Sequence, residues 1–118
     1  MTPQEFAALL NGREYGEEIT REEEALAKAH GLVVVFGYSD DNMEFCGAIT
    51  DEVGCYDGRH AYVNKDGLSN SGKKITAVWD TDGYSWIYQT DIPHATFEIV
   101  EGDDPYCRGI VFALADVG

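Results

Sequence analysis

The stretch from Gly31 to Thr50, GLVVVFGYSDDNMEFCGAIT, decides the fold that this sequence predicts. Its opening run, Leu32–Phe36, is apolar, rich in β-branched residues and much too short to span a membrane. Such a run is typical of a strand that is buried on both faces. Turn-forming residues follow at 38–42, and Met43–Ile49 then predicts a second strand. We therefore expect a β-hairpin with an acidic tip at the centre of a sheet.

Two helices are predicted before this hairpin, and each begins with a capping box. The first box is Thr2–Glu5, with proline at the first helical position, and this helix ends at Asn11-Gly12. The second box is Thr20–Glu23, and Gly31 is well placed just past the end of that helix. Two residues of the second helix are expected to face the sheet, namely Leu26 and Ala29.

The remainder of the chain predicts short strands separated by turn-sized gaps. His60–Asn64 reads as one strand, Ile75–Trp79 and Ser85–Thr90 as a hairpin, and Ala95–Val100 with Tyr106–Leu114 as another. The predicted fold class is α+β, with two N-terminal helices packed on an antiparallel β-sheet built from hairpins. Neither a linker nor a repeat divides the 118 residues, so we expect a single domain, 1–118.

Charge is the unusual feature of the composition. The chain has 8 Lys and Arg residues against 22 Asp and Glu residues, a formal balance of −14. A field of this sign repels nucleic acid and anionic membranes and attracts basic surfaces, although it also promotes solubility without any binding role. Three cysteines and the lack of a secretory signal favour a reducing compartment, so we expect a cytoplasmic protein.

A zinc site is the metal hypothesis that the sequence allows. Its ligands would be Cys46, Cys55, His60 and Cys107, with His94 as a further candidate. No CxxC or HxxxH spacing supports the set, and unpaired cysteines often serve as small buried apolar residues. Zinc is therefore an option, and we expect that no cofactor is required.

Catalytic motifs are missing from the sequence. There is no GxSxG, HExxH or P-loop pattern, and no serine neighbours a histidine. Asp40 with Asp41, or Asp51 with Glu52, could hold a cation or act as acid and base. Adjacent carboxylates on a strand point to opposite faces, however, so a pair is not automatically a site. We expect a protein that binds rather than an enzyme.

Carboxylates around the second helix and the central hairpin are the candidate partner-binding residues. They are Glu17, Glu18, Glu22, Glu23, Asp40, Asp41, Glu44, Asp51 and Glu52. On a rigid scaffold such groups could imitate the phosphates of a duplex and occupy a basic groove. A solvated acidic face is the alternative. The aromatic cluster Trp79, Tyr84, Trp86 and Tyr88 similarly predicts either core packing or an exposed anchor for a partner.

Three segments carry a resemblance to known proteins: NGREYGEEIT at 11–20, EEEALAKAHGLVVVFGYSDDNMEFCGAI at 22–49, and DPYCRGIVFALAD at 104–116. They resemble short acidic proteins encoded by bacteriophages and prophages of gut bacteria. That group includes anti-CRISPR proteins, which bind a CRISPR effector nuclease. The resemblance implies a stoichiometric inhibitor, acting in the host bacterial cytosol on an effector of type II. It assigns no functional residues by position.

Two other functions remain open at the level of sequence. A phage accessory protein that binds a different host enzyme of nucleic acids, such as a polymerase, restriction or repair enzyme, would show the same charge. A small zinc-binding metalloprotein would account for the cysteines and His60. Neither alternative involves direct contact with nucleic acid or a membrane.

Overall fold

The structure is a computed structural model, and it describes residues 1–14, 16–17, 19–38, 47–48, 53–56, 60–63, 72–80 and 85–117. In some of the strands only the backbone is described. The fold is mixed α+β, with two helices and mostly antiparallel strand pairing. The class predicted from the sequence is therefore confirmed.

The elements follow one another along the chain as α1 (Pro3–Leu10), β1 (Arg13–Glu14), α2 (Arg21–Ala29), β2 (Leu32–Tyr38), β3 (Gly47–Ala48), β4 (Val53–Tyr56), β5 (His60–Val63), β6 (Lys73–Asp80), β7 (Ser85–Gln89), β8 (Ala95–Glu101), β9 (Asp104–Ala113) and a terminal 3-10 helix (Leu114–Val117).

The described strands form two sheets rather than the one that was predicted. The first sheet has the order β1-β8-β9-β2-β3, and the second has the order β4-β5-β6-β7. All pairs are antiparallel except β1 with β8, which is parallel. The predicted hairpins at β6–β7 and β8–β9 are confirmed, while the predicted strand at Met43–Ile49 is described only at Gly47–Ala48.

Residues 32–35 of strand β2 are buried on both faces, as the sequence predicted. Val33 and Val35 point into a core that also contains Ile75 of β6 and Tyr88 of β7. Leu32 and Val34 point the other way, into a core that contains Phe6 of α1 and Ala27 of α2. The first sheet therefore lies between the helices and the second sheet, and this position explains why β2 has no polar face.

Local hydrogen bonds fix both helix starts as the capping boxes predicted. Thr2 Oγ1 accepts from Glu5 N at 3.1 Å, and Glu5 Oε1 accepts from Thr2 N at 2.9 Å. The second helix repeats this exchange between Thr20 and Glu23. Gly31 has φ +65°, the left-handed conformation expected of a glycine that follows a helix.

The inward face of α2 differs from the one predicted. Leu26 is half-buried against the core as expected, but Ala29 is exposed, and Ala27 is the residue with no exposed surface. Ala27 lies one turn after Glu23, whose carboxylate is paired with Arg13 of β1. That pair turns the face containing Glu23 and Ala27 towards the sheet, so Ala29 points away.

Gly109 is expected to tolerate no side chain. A Cβ at this position in β9 would overlap the ring of Phe97 on β8 and would lie 2.7 Å from the carbonyl oxygen of Val35. Gly109→Ala should therefore lower the free energy of unfolding by about 2 kcal/mol, measured by urea denaturation, because overpacked cores must shift backbone or side chains.

Phe97→Leu is the companion variant that identifies the obstacle at Gly109. If the Phe97 ring is responsible, the double variant should lose less stability than the sum of the two single variants. Strict additivity would exclude the Phe97 ring as the obstacle and leave the Val35 carbonyl. A Gly109→Ala protein as stable as the natural chain would contradict the packing account.

Candidate functional site

Acidic residues from four neighbouring locations in the fold lie near one another at one end of the first sheet. We call this set the acidic end. Its members are exposed carboxylates from β1, the segment that precedes α2, the first turn of α2 and the β8–β9 turn: Glu14, Glu17, Glu22, Glu101, Asp103 and Asp104. Arg21, at the start of α2, is an exposed cation in the same part of the chain.

The parallel pairing of β1 with β8 brings these segments together. Glu14 lies opposite Val100, so the end of β1 reaches the β8–β9 turn. Glu14 Oε2 accepts a hydrogen bond from Gly102 N at 3.4 Å, and Glu17 N donates to Glu14 O at 2.9 Å. Asn11, at the end of α1, further anchors this region, because its Oδ1 accepts from Glu98 N at 2.9 Å.

An ion pair between Arg13 and Glu23 connects α2 to the same end of the sheet. Both terminal nitrogens of the guanidinium donate to the two carboxylate oxygens of Glu23, a bidentate arrangement. The side chains are 21% and 13% exposed, so this pair is more sheltered than an ordinary surface ion pair. Glu23 was predicted to contact a partner, but its carboxylate is engaged within the chain and caps α2.

The hydrogen bonds from Arg13 lower the pKa of the Glu23 carboxyl below its ordinary value. Partial burial acts in the opposite direction, and the backbone N–H of Thr20 reinforces the lowering. The same pairing raises the pKa of Arg13, so both members stay charged near neutral pH. Glu23 therefore positions the acidic end rather than adding to its exposed charge.

Glu23→Gln should reduce stability in a pH-dependent manner. A carboxyl whose pKa is lower in the folded state contributes stability that is complete above its unfolded pKa, about 4.3, and is lost as the pH falls through the folded value. At neutral pH we expect a loss of about 1 kcal/mol, since a sheltered bidentate pair contributes more than an exposed one. As the pH falls through the lowered folded pKa of Glu23, the difference in stability between the variant and the natural chain should shrink.

Glu22→Gln is the matched control, because Glu22 is the exposed neighbour of Glu23 in the same helical turn. Its effect on the free energy of unfolding, measured by urea denaturation, should stay within about 0.5 kcal/mol across the same pH range. Equal losses for the two variants would show that helix charge, and not the pair with Arg13, explains the result.

Of the predicted partner-binding residues, Glu17 and Glu22 lie exposed at the acidic end. The others apart from Glu23 fall outside the described residues: Glu18, Asp40, Asp41, Glu44, Asp51 and Glu52. Among the predicted aromatic anchors, Tyr88 is buried in the core between the sheets. Trp79 lies opposite Trp86 in the β6–β7 register, and Tyr84 falls outside the described ranges.

Of the four predicted zinc ligands, three are described by their backbone only, and the further candidate His94 has its Nδ1 2.7 Å from Ile92 O. Cys55 and His60 lie on the neighbouring strands β4 and β5 of the second sheet, and Cys107 lies on β9 of the first. Cys46 and the side chains of the other three are outside the described part of the structure. Among the side chains that are described, no group of three or more His, Cys, Asp or Glu residues could hold a metal ion.

Four members of the acidic end were not predicted as site residues: Glu14 of β1, and Glu101, Asp103 and Asp104 of the last hairpin. The three acidic residues of the last hairpin lie in the segment EGDDP, which predicted a turn. The segment did not predict that this turn lies beside β1. A two-residue parallel strand has no periodicity that a sequence pattern can detect, so its pairing with β8 was not foreseen. The acidity of the turn was the available signal.

Comparison with known proteins identifies no relative. No protein-family model, no curated protein and no solved structure matches the chain. Within the described ranges, no helix has both the length and the apolar character needed to cross a bilayer.

Proposed function

We propose that this protein is a phage-encoded anti-CRISPR inhibitor that binds a type II CRISPR effector nuclease in the cytosol of the host bacterium and blocks its access to nucleic acid. It acts as a stoichiometric binder and not as an enzyme, and it requires no cofactor. The observation that carries the proposal is the acidic end, where exposed carboxylates distant in sequence meet on one surface.

Electrostatics explains why such a surface suits this kind of partner. An effector nuclease holds its guide–target duplex in a positively charged channel and recognises it largely through the backbone. Fixed carboxylates compete for the same lysine and arginine side chains that bind phosphates. In a chain with a formal charge of −14, the long-range field also speeds the encounter with a basic groove.

Rigidity of the scaffold supports the proposal as well. The carboxylates would lose affinity if binding had to order them first. Here Glu14 is tied to the β8–β9 turn, and the Arg13–Glu23 pair ties α2 to β1. In this proposal the chain is one domain, with two N-terminal helices packed on the hairpin sheet. Because this scaffold is rigid, its carboxylates lose little conformational entropy when they bind. The predicted contacts Glu18, Asp40, Asp41, Glu44, Asp51 and Glu52 remain part of the proposed partner-binding set, and they lie outside the described residues.

A cleavage assay tests this function. Purified type II effectors loaded with guide RNA should cut target DNA less as the protein is added, with inhibition complete near equimolar protein. The protein should inhibit when it is added before the DNA and lose its effect when added afterwards, because bound duplex already fills the channel.

Undiminished cutting by a panel of type II effectors, at any order of addition and in molar excess, would remove the proposal for that class. Affinity capture from host lysate then separates the remaining option. Recovery of a polymerase, restriction or repair enzyme without a CRISPR effector would assign the acidic end to that enzyme instead.

A further inference from the structure

A cleft lies between the two sheets at the outer edge of the second sheet. Strand β7 is the last strand of that sheet and lies over β9 of the first. The cleft has a volume of about 410 Å³. Its described lining comes mainly from β7, β8 and β9, and includes Ile87, Tyr88, Thr96, Glu98, Arg108 and Ile110. This volume falls in the range of pockets that enclose a ligand group.

Two carboxylates share one guanidinium beside this cleft. Arg108 Nη1 donates to Asp80 Oδ2 at 2.6 Å, and Arg108 Nε donates to Glu98 Oε1 at 3.0 Å. One guanidinium is thus shared by two carboxylates, one from each sheet. Glu98 is the member that faces solvent, since its side chain is 44% exposed and that of Asp80 is 20% exposed.

Arg108 stays charged in this arrangement. Burial alone would lower the pKa of its guanidinium, but the hydrogen bonds to Asp80 and Glu98 outweigh that effect and raise the pKa. Arg108 therefore stays a cation shared between the two carboxylates, and Glu98, the more exposed of the two, presents its carboxylate to solvent at the cleft.

Apolar surface lies beside this charge. Ile87 is 40% exposed on β7 although it is a large aliphatic residue, and Ile110 closes the opposite wall on β9. An exposed carboxylate at the end of an apolar slot complements a long cationic side chain, which has an aliphatic stem and a charged head. Arginine fits better than lysine, because its planar guanidinium can donate two parallel hydrogen bonds to one carboxylate.

We propose that the cleft receives an arginine side chain of the protein partner, with its stem against Ile87 and its guanidinium on the Glu98 carboxylate. This inference rests on the proposed function for the identity of the partner as a protein with a basic groove. It adds a second contact, separate from the acidic end, in which one buried arginine anchors the complex. Arginine is among the residues that most often contribute the largest share of interface energy.

The test uses small probes, so that it does not depend on any nuclease. Nα-acetyl-arginine amide is titrated into the isotope-labelled protein and followed by amide chemical shifts. The shifts should centre on Ile87, Thr96, Glu98 and Ile110, with a Kd in the millimolar range, about what a single anchored side chain provides. Nα-acetyl-citrulline amide, which has the same shape without the charge, should produce no saturable shift.

Three variants complete the design. Glu98→Gln keeps an acceptor for Arg108 but removes the charge, and it should weaken arginine binding by about fivefold or more. Thr96→Arg, at an exposed position on the cleft wall, should fill the site from within and abolish probe binding. Asp116→Asn, an exposed carboxylate that is not among the lining residues, should leave the Kd unchanged.

Equal binding of citrulline, tighter binding of the corresponding lysine probe, or a Glu98→Gln protein with the natural Kd would overturn the assignment. Amide chemical-shift changes spread over many exposed carboxylates, rather than centred on the cleft, would also overturn it. If a cleft variant loses probe binding but still inhibits the nuclease normally, the assignment of the cleft to the partner's arginine is wrong and the proposed function stands. Specific probe binding in a protein that inhibits no effector would refute the proposed function while the arginine site remains.

Discussion

Replacement of Val34 by aspartate is expected to prevent the chain from folding under conditions in which the natural chain is stable. Val34 has no exposed surface and lies in the core between the first sheet and the helices, together with Phe6, Leu10 and Phe97. Among the described residues, those that form this core are all apolar, so none can pair with a carboxylate. An unpaired carboxylate buried there should cost about 5 kcal/mol or more, comparable to the whole stability of a typical domain.

Val78→Asp is the matched control for this prediction. Val78 lies on β6 but is 41% exposed, so the same substitution there meets water. It should lower the unfolding free energy by only about 1 kcal/mol, the span of strand propensities. Near-ultraviolet circular dichroism and urea denaturation measure both variants. A folded Val34→Asp protein, or equal damage at the two positions, would contradict the placement of β2 between two cores.

Neutralising the acidic end is expected to produce the largest change in function. The variant carries Glu17→Gln, Glu22→Gln, Glu101→Gln and Asp103→Asn, all at exposed positions. At about 0.7 kcal/mol for each exposed charge, affinity for the effector–guide complex should fall about 100-fold at low salt. The difference from the natural chain should shrink as salt is added, since screening weakens exposed charges. Binding kinetics should show the loss mainly as slower association.

Two double variants separate the position of these charges from their number. Glu17→Gln with Glu101→Gln alters the acidic end, whereas Asp91→Asn with Asp116→Asn removes the same charge from exposed sites elsewhere. The first pair should weaken binding by about tenfold, and the second should have little effect beyond the change in net charge. Equal losses would mean that the overall field, and not this surface, accounts for the attraction.

Local chemistry was the part of this fold that sequence could predict. The capping boxes at Thr2 and Thr20 depend on hydrogen bonds between residues three apart, and the positive φ of Gly31 depends on that residue alone. The apolar run of β2 predicted burial on both faces because no polar residue interrupts it. Hairpins at β6–β7 and β8–β9 were similarly visible, since their turns lie next to the strands that they join.

Contacts between distant segments were the part that sequence could not predict. The parallel pairing of β1 with β8 joins residues 13–14 to residues 99–100, and two residues carry no periodic pattern. The Arg13–Glu23 pair follows from that placement and explains why Ala27 rather than Ala29 faces the sheet. The cleft between β7 and β9 required the packing of two sheets where one was predicted. The sequence therefore did not predict Glu98 and Arg108 as site residues.

Competition for target DNA tests the central proposal most directly. The experiment has two arms, each of which follows the anisotropy of a fluorescent target duplex. In the first arm the protein is mixed with the effector–guide complex before the duplex is added. In the second arm the duplex is bound to the complex before the protein is added. We predict that protein added first keeps the duplex free at a ratio near one to one, and that the variant with a neutralised acidic end fails to do so. If the duplex binds undisturbed while the protein is also bound to the effector, or if the protein does not bind at all, the account of a carboxylate surface in a nucleic-acid channel is wrong.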